Sequence, residues 1–152
     1  MSQPIKRLLV IGGRPTINWY DVFKNATVGK YAVQVEFTMW DEIEVTGYSD
    51  SGPVVVIFPS KYAIPGTPMN TRRSMTPDFL LIRGACQGVS GQNWRNELLC
   101  FLFCNTPAVN TLESLYLCLE KPVIYSKLRQ VHQKHGSQFP LSPPTMYPSW
   151  RS

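Results

Sequence analysis

Four consecutive apolar residues, Leu8-Leu9-Val10-Ile11, run directly into a glycine pair, Gly12-Gly13. A strand with one wet face alternates apolar and polar side chains. An unbroken run leaves no face for water, so this strand belongs in the middle of a sheet covered on both sides. Two further runs repeat the signal. Residues 54–58 are apolar between Pro53 and Pro59, and Phe79-Leu80-Leu81-Ile82 follows Pro77 and ends before Gly84. Residues 31–37, "YAVQVEF", are rich in β-branched and aromatic side chains and read as another strand.

Helices are expected between these strands. Trp19, Tyr20, Val22 and Phe23 suggest a brief amphipathic turn ending near Asn25. Residues 94–104 read as a helix that is polar at its start and apolar all round at its end, which demands deep burial. Residues 106–110 read as a short strand. Asn110, with Glu113 three residues on, resembles an N-terminal cap for a helix over 111–119. Pro122 at a first helical position opens a last helix, which Gly136 stops. There Ile124, Leu128 and Val131 fall on one face, as on a helix that covers a sheet. Residues 60–76 show little periodicity and read as a long surface loop. The fold class is therefore α/β, with a mainly parallel sheet and helices on both faces in a Rossmann-like, three-layer arrangement.

Length and composition allow one domain over residues 1–152. A domain usually spans ~100–200 residues, and 43% hydrophobic with 16% charged residues describes a globular chain. The longest apolar run, residues 98–103, is far short of the ~20 residues that a membrane helix needs. No apolar segment of signal-peptide type follows the first seven residues. Cys86, Cys100, Cys104 and Cys118 sit in or beside apolar segments, as free thiols of a reducing compartment do. A soluble, cytoplasmic protein is the expectation. The net charge of +5 suits an acidic partner, but the basic residues are scattered outside residues 121–135, so no nucleic acid is expected.

Few motifs point to chemistry. The glycine pair lacks the third glycine of a dinucleotide fingerprint and the lysine of a phosphate loop, and Pro15 removes a backbone donor. A turn at the end of a strand explains it better. Cys100 and Cys104 share a helical spacing, as do His132 and His135, yet the cysteines lie inside "LLCFLFC", where core thiols are expected rather than zinc ligands. Asp41, Glu42 and Glu44 of "WDEIEV" could pair for acid–base work, and read equally well as a solvated loop after a strand. No nucleophile, base and orienting group fall together, so no catalytic, cofactor-binding or metal-binding residue is assigned. Two surface features remain as candidates. Lys127, Arg129 and Lys134 on the last helix could meet an anionic surface, and Ser74 in "NTRRSM" follows two arginines, a shape that basophilic kinases accept.

Several stretches resemble the synapsin family. They are residues 76–83, "TPDFLLIR", residues 107–136, "PAVNTLESLYLCLEKPVIYSKLRQVHQKHG", and the tail "FPLSPPTMYPSW". "LLVIGGRPTINWYDVFK" and "VQVEF" are similar to the family's first two strands. The likeness spans nearly the whole chain, with a divergent middle over 38–74. It implies the pre-ATP-grasp half of the synapsin central domain, in a non-enzymatic, synaptic-vesicle-associated phosphoprotein linked to neurotransmitter release. It also implies a homodimer, contacts with actin and the vesicle surface, and a peripheral cytoplasmic location. ATP belongs to the full-length family. The sequence given ends where the ATP-grasp half is expected, and Gly12-Gly13-Arg14 replaces the family's aspartate-led motif, so no cofactor is expected for this chain. The alternative is the N-terminal fragment of an ATP-grasp ligase-like enzyme.

Overall fold

A computed structural model describes residues 3–12, 17–59, 71–87 and 91–146. Its centre is the first apolar run. Strand β1 (Ile5–Gly12) pairs in parallel with β3 (Tyr31–Met39), from Ile5 opposite Ala32 to Gly12 opposite Met39. On its other edge it pairs in parallel with β7 (Phe79–Ile82), Leu8 opposite Phe79 and Ile11 opposite Ile82. With both edges paired and both faces covered, Leu9, Val10 and Ile11 have 0% exposure, as the sequence pattern requires. A two-residue strand β2 (Thr27–Val28) adds antiparallel to β3, giving the order β2-β3-β1-β7.

The expectation of one mainly parallel sheet needs correction. The first sheet is mixed, and a second, wholly antiparallel sheet joins β4 (Ile43–Tyr48), β5 (Gly52–Ile57) and β6 (Arg73–Met75). Strand β4 lies in the stretch read as a solvated acidic loop. Its period of two was concealed because Glu44 and Thr46 occupy the wet positions while Ile43 is buried and Val45 half-buried. The reversal into β5 needs a left-handed residue, which Gly52 supplies at φ +82°. Such a short connection forces antiparallel pairing. Strand β6 falls inside the expected 60–76 loop, whose residues 60–70 lie outside those described.

The larger core lies between the two sheets. Leu9 and Ile11 from the first sheet meet Val55 and Ile57 from the second. Leu98 and Phe101 of α2 (Arg95–Phe103) and Leu112 of α3 (Leu112–Leu117) complete it. Helix α1 (Trp19–Phe23) covers the opposite face of the first sheet, where Trp19, Tyr20 and Phe23 pack on Leu8, Val10, Val35 and Phe37. One face therefore carries a helix and the other a second sheet with two helices. Arg73 of β6 ties the sheets together through Glu36 of β3, with nitrogen–oxygen distances of 2.8 and 2.9 Å.

The remaining elements depart from expectation in four places. The cap of α3 is Thr111, whose hydroxyl accepts the Ser114 N–H at 3.2 Å, rather than Asn110. Residues 106–110 make a single bridge, Ala108 to Leu80, instead of a strand. Helix α2 is not buried all round: Leu98 and Phe101 are enclosed, but Phe103 on the same helix is 64% exposed. Finally, α4 (Lys121–His135) takes Pro122 one place later than expected and contains no buried residue. It packs against α3 and the 3₁₀ turn after it, not across a sheet.

Candidate functional site

The chain leaves β1 towards β3 on one side and later returns as β7 on the other. Open α/β sheets place ligands at such a reversal, beyond the carboxyl ends of the strands. Among the described residues that end is closely packed. A Cβ on Gly12 would stand 3.4 Å from the Phe37 ring and 3.7 Å from Arg83 Cβ. The two amides best placed to receive an anion, those of Arg83 and Gly84, both donate to the Ile11 carbonyl, at 2.7 and 3.2 Å. Trp40, stacked on Trp94, donates its indole N–H to the Gly84 carbonyl at 3.5 Å. The described residues at this end do not fit the phosphates of ATP, because their donors are already spent. Gly13, Arg14, Pro15 and Thr16 lie outside the described residues.

The acidic trio does not assemble into a pair for acid–base work. Glu42 is buried at 3% exposure and accepts the Met39 N–H at 3.3 Å, which caps the turn Trp40–Glu42. Asp41 and Glu44 are exposed. Their positions serve the entry into β4.

The four cysteines are free. Cys104 lies 3.6 Å from the Tyr48 carbonyl, at the end of α2. His132 Nδ1 is 2.6 Å from the Phe139 carbonyl, so its ring is engaged by the segment following α4. Among the described residues no group of three or more His, Cys, Asp or Glu is placed to hold a metal. Burial pushes the Cys86 thiol up to about 11, whereas Cys118 is exposed. Thiolate is the reactive form. With iodoacetamide at neutral pH, mass spectrometry is expected to find Cys118 labelled at least ~10-fold faster than Cys86.

The candidate surface residues are accessible but do not form one patch. Lys127, Arg129 and Lys134 are all exposed on α4. Lys127 and Lys134 are seven residues apart and share a side, while Arg129 stands about 200° round from Lys127. Arg129 instead lies towards the side where Tyr125 bonds to the Ser142 carbonyl and His132 meets Phe139. Ser74 is exposed in β6, paired opposite Val56. Alternation along the strand puts Arg72 on its face and Arg73 on the other. Arg72 stacks over the Phe58 ring at 5.2 Å, and Arg73 is held by Glu36. Sequence reading missed this division, because neither Glu36 nor Phe58 is near the arginines in the chain.

Over residues 1–108 the chain matches the family model of the synapsin pre-ATP-grasp domain. It is also 32% identical over 146 residues to Synapsin of Drosophila melanogaster, an alignment covering 95% of this chain and 14% of that protein. The chain thus spans a small fraction of its relative's length, and the likeness continues through α3 and α4.

Proposed function

The chain belongs to the synapsin family, and from that premise we propose that it is a non-enzymatic, vesicle-associated domain linked to the regulation of neurotransmitter release. It acts through protein and vesicle-surface contacts, from a peripheral position on the cytoplasmic side. The observation that carries this reading is the extent of the likeness, 95% of this chain. Among the described residues no helix is long and apolar enough to cross a membrane.

Three surfaces suit such contacts. Helix α4 offers Lys127 and Lys134 on one side to anionic lipid. The outer face of α2 exposes Leu99 (36%) and Phe103 (64%) beside Tyr48 (48%); an apolar cluster of this kind suits a protein partner, either a second copy or actin. Ser74 is a phosphate acceptor whose product would add about −1.5 to −2 charges next to Arg72. ATP binding is not part of the proposal; among the described residues the Arg83 and Gly84 amides are engaged by the Ile11 carbonyl.

Co-sedimentation tests the vesicle contact. The chain is expected to pellet with purified synaptic vesicles and with phosphatidylserine-containing liposomes, and to stay in solution with neutral ones. Each basic residue near an anionic surface contributes about 1 kcal/mol. Lys127→Gln with Lys134→Gln is therefore expected to weaken liposome binding roughly 30-fold. Adding Arg129→Gln, on the other side of the helix, is expected to change little more. Absence of binding to vesicles overturns the reading, as does saturable magnesium-dependent ATP binding by calorimetry.

A further inference from the structure

Helix α1 is too short for the sheet that it covers. Five residues of helix reach ~7.5 Å, whereas the eight residues of β1 extend ~26 Å. Trp19, Tyr20 and Phe23 shield the face near Val10, Val35 and Phe37. Towards the amino end of the strands the face stays open as a groove of about 660 Å³, within the ~300–1,000 Å³ usual for small-ligand sites. Leu8 and Val33 form its floor, with Leu81 and Phe79 on one side, Phe23 and Val109 above. Phe79 and Val109 keep 39% and 60% of their surface exposed, so apolar area is left in water at the mouth.

The charge around the groove is one-sided. Tyr31 closes one end, and the ammonium groups of Lys6 and Lys30 stand 5.5 and 5.6 Å from its ring centroid. Arg7 adjoins them. The carboxylate among them is Asp78, which accepts from Lys6 Nζ at 2.6 Å and from the Arg7 N–H at 2.8 Å. Two ammonium groups against one carboxylate leave a net positive charge, with Asp78 engaged by Lys6 and Lys30 the remaining cation, and this favours an anionic guest. It disfavours a second copy, whose symmetric docking would bring like charges together. The walls offer almost no polar atoms, and β1 has no free edge, so an extended peptide would leave its amides unpaired. A hydrocarbon chain needs no such partners.

We propose that this groove binds the tail of a single-chain anionic amphiphile, a long-chain carboxylate being the simplest, with its headgroup at the Lys6–Lys30 end. The site lies on the opposite face of the sheet from the larger core and apart from α4, so it is independent of the vesicle contact proposed above.

Isothermal titration of the full chain with dodecanoate, kept below its critical micelle concentration, is expected to show one saturable site. Decanoate is expected to bind ~15-fold more weakly, for two fewer buried methylenes. Dodecyltrimethylammonium, with the same tail and the opposite charge, is expected to bind at least ~10-fold more weakly. Val109→Glu puts a carboxylate on the groove wall at an exposed position. It is expected to weaken dodecanoate at least ~10-fold while the thermal midpoint of the unliganded protein stays unchanged. Should that variant fold poorly, Lys6→Gln with Lys30→Gln carries the same test, through loss of the preference for anion over cation. Four results overturn the proposal. They are no saturable heat, equal binding of the two headgroups, binding to anionic vesicles without binding of the monomer, and a dimer that Val109→Glu dissociates. The last would make the groove an interface between copies.

Discussion

Phe101→Ala is expected to lower the unfolding free energy by about 3–5 kcal/mol, read as a fall in the urea midpoint with little change in slope. Phe101 has 0% exposure and sits in the core between the two sheets, with Leu98 beside it on α2. Removing the ring forfeits its transfer free energy and leaves a cavity. The walls cannot collapse freely, since β1 is fixed by pairing on both edges and β5 by pairing with β4 and β6. A domain of this size has only ~5–15 kcal/mol in total, so the variant should be partly unfolded near 37 °C. Phe103→Ala is the matched control. It removes the same ring from the same helix at a position 64% exposed, and is expected to change stability by no more than about 0.5 kcal/mol. Equal losses in the two variants would mean that the outer face of α2 is covered in solution.

That contrast marks a limit of the sequence reading. "LLCFLFC" has apolar residues on every side of the helix, so its pattern names no buried face. The face is chosen by Gly47, Ile43 and Val45 of β4, a strand that the acidic letters of "WDEIEV" disguised. Where an element is buried on both sides, the letters were sufficient. Leu8 to Ile11, with no polar residue among them, specified a central strand; Phe79 to Ile82 also reads as a strand, yet Phe79 keeps one face of it open. Where an element is half wet, the outcome depended on distant partners. The stripe Ile124, Leu128, Val131 pointed to a helix lying on a sheet, yet α4 meets α3, because that face of the first sheet is already covered by the second sheet with α2 and α3. The groove beside α1 was illegible for a similar reason. It exists because a five-residue helix leaves part of a strand face open, and Leu8, Val33 and Phe79 come together only once β1 lies between β3 and β7. The amides that engage the Ile11 carbonyl beside Gly12, those of Arg83 and Gly84, lie more than seventy residues away, so no reading of the glycine pair's neighbours in the chain shows them.

Gly47→Val is expected to cost about 1–3 kcal/mol. Glycine inside a strand often marks a close approach by another backbone, and here the approach is measurable. A Cβ on Gly47 would stand 3.1 Å from Cys104 Sγ, 3.3 Å from the Cys100 carbonyl oxygen and 3.3 Å from Phe103 Cδ1. The thiol can rotate and the Phe103 ring can swing into water, so those contacts are negotiable. The carbonyl belongs to the last turn of α2 and moves only with the helix. Shifting α2 outwards would loosen Leu98 and Phe101 in the core. Replacing glycine recovers ~0.5–1 kcal/mol of backbone entropy, so Gly47→Ala should cost less than valine while still destabilising. Combining Gly47→Ala with Cys104→Ala removes the sulfur contact and leaves the carbonyl contact. If the carbonyl is decisive, urea unfolding of the double variant will show less than half of the Gly47→Ala loss recovered, relative to Cys104→Ala alone. Full recovery would mean that the thiol alone sets the spacing between α2 and β4.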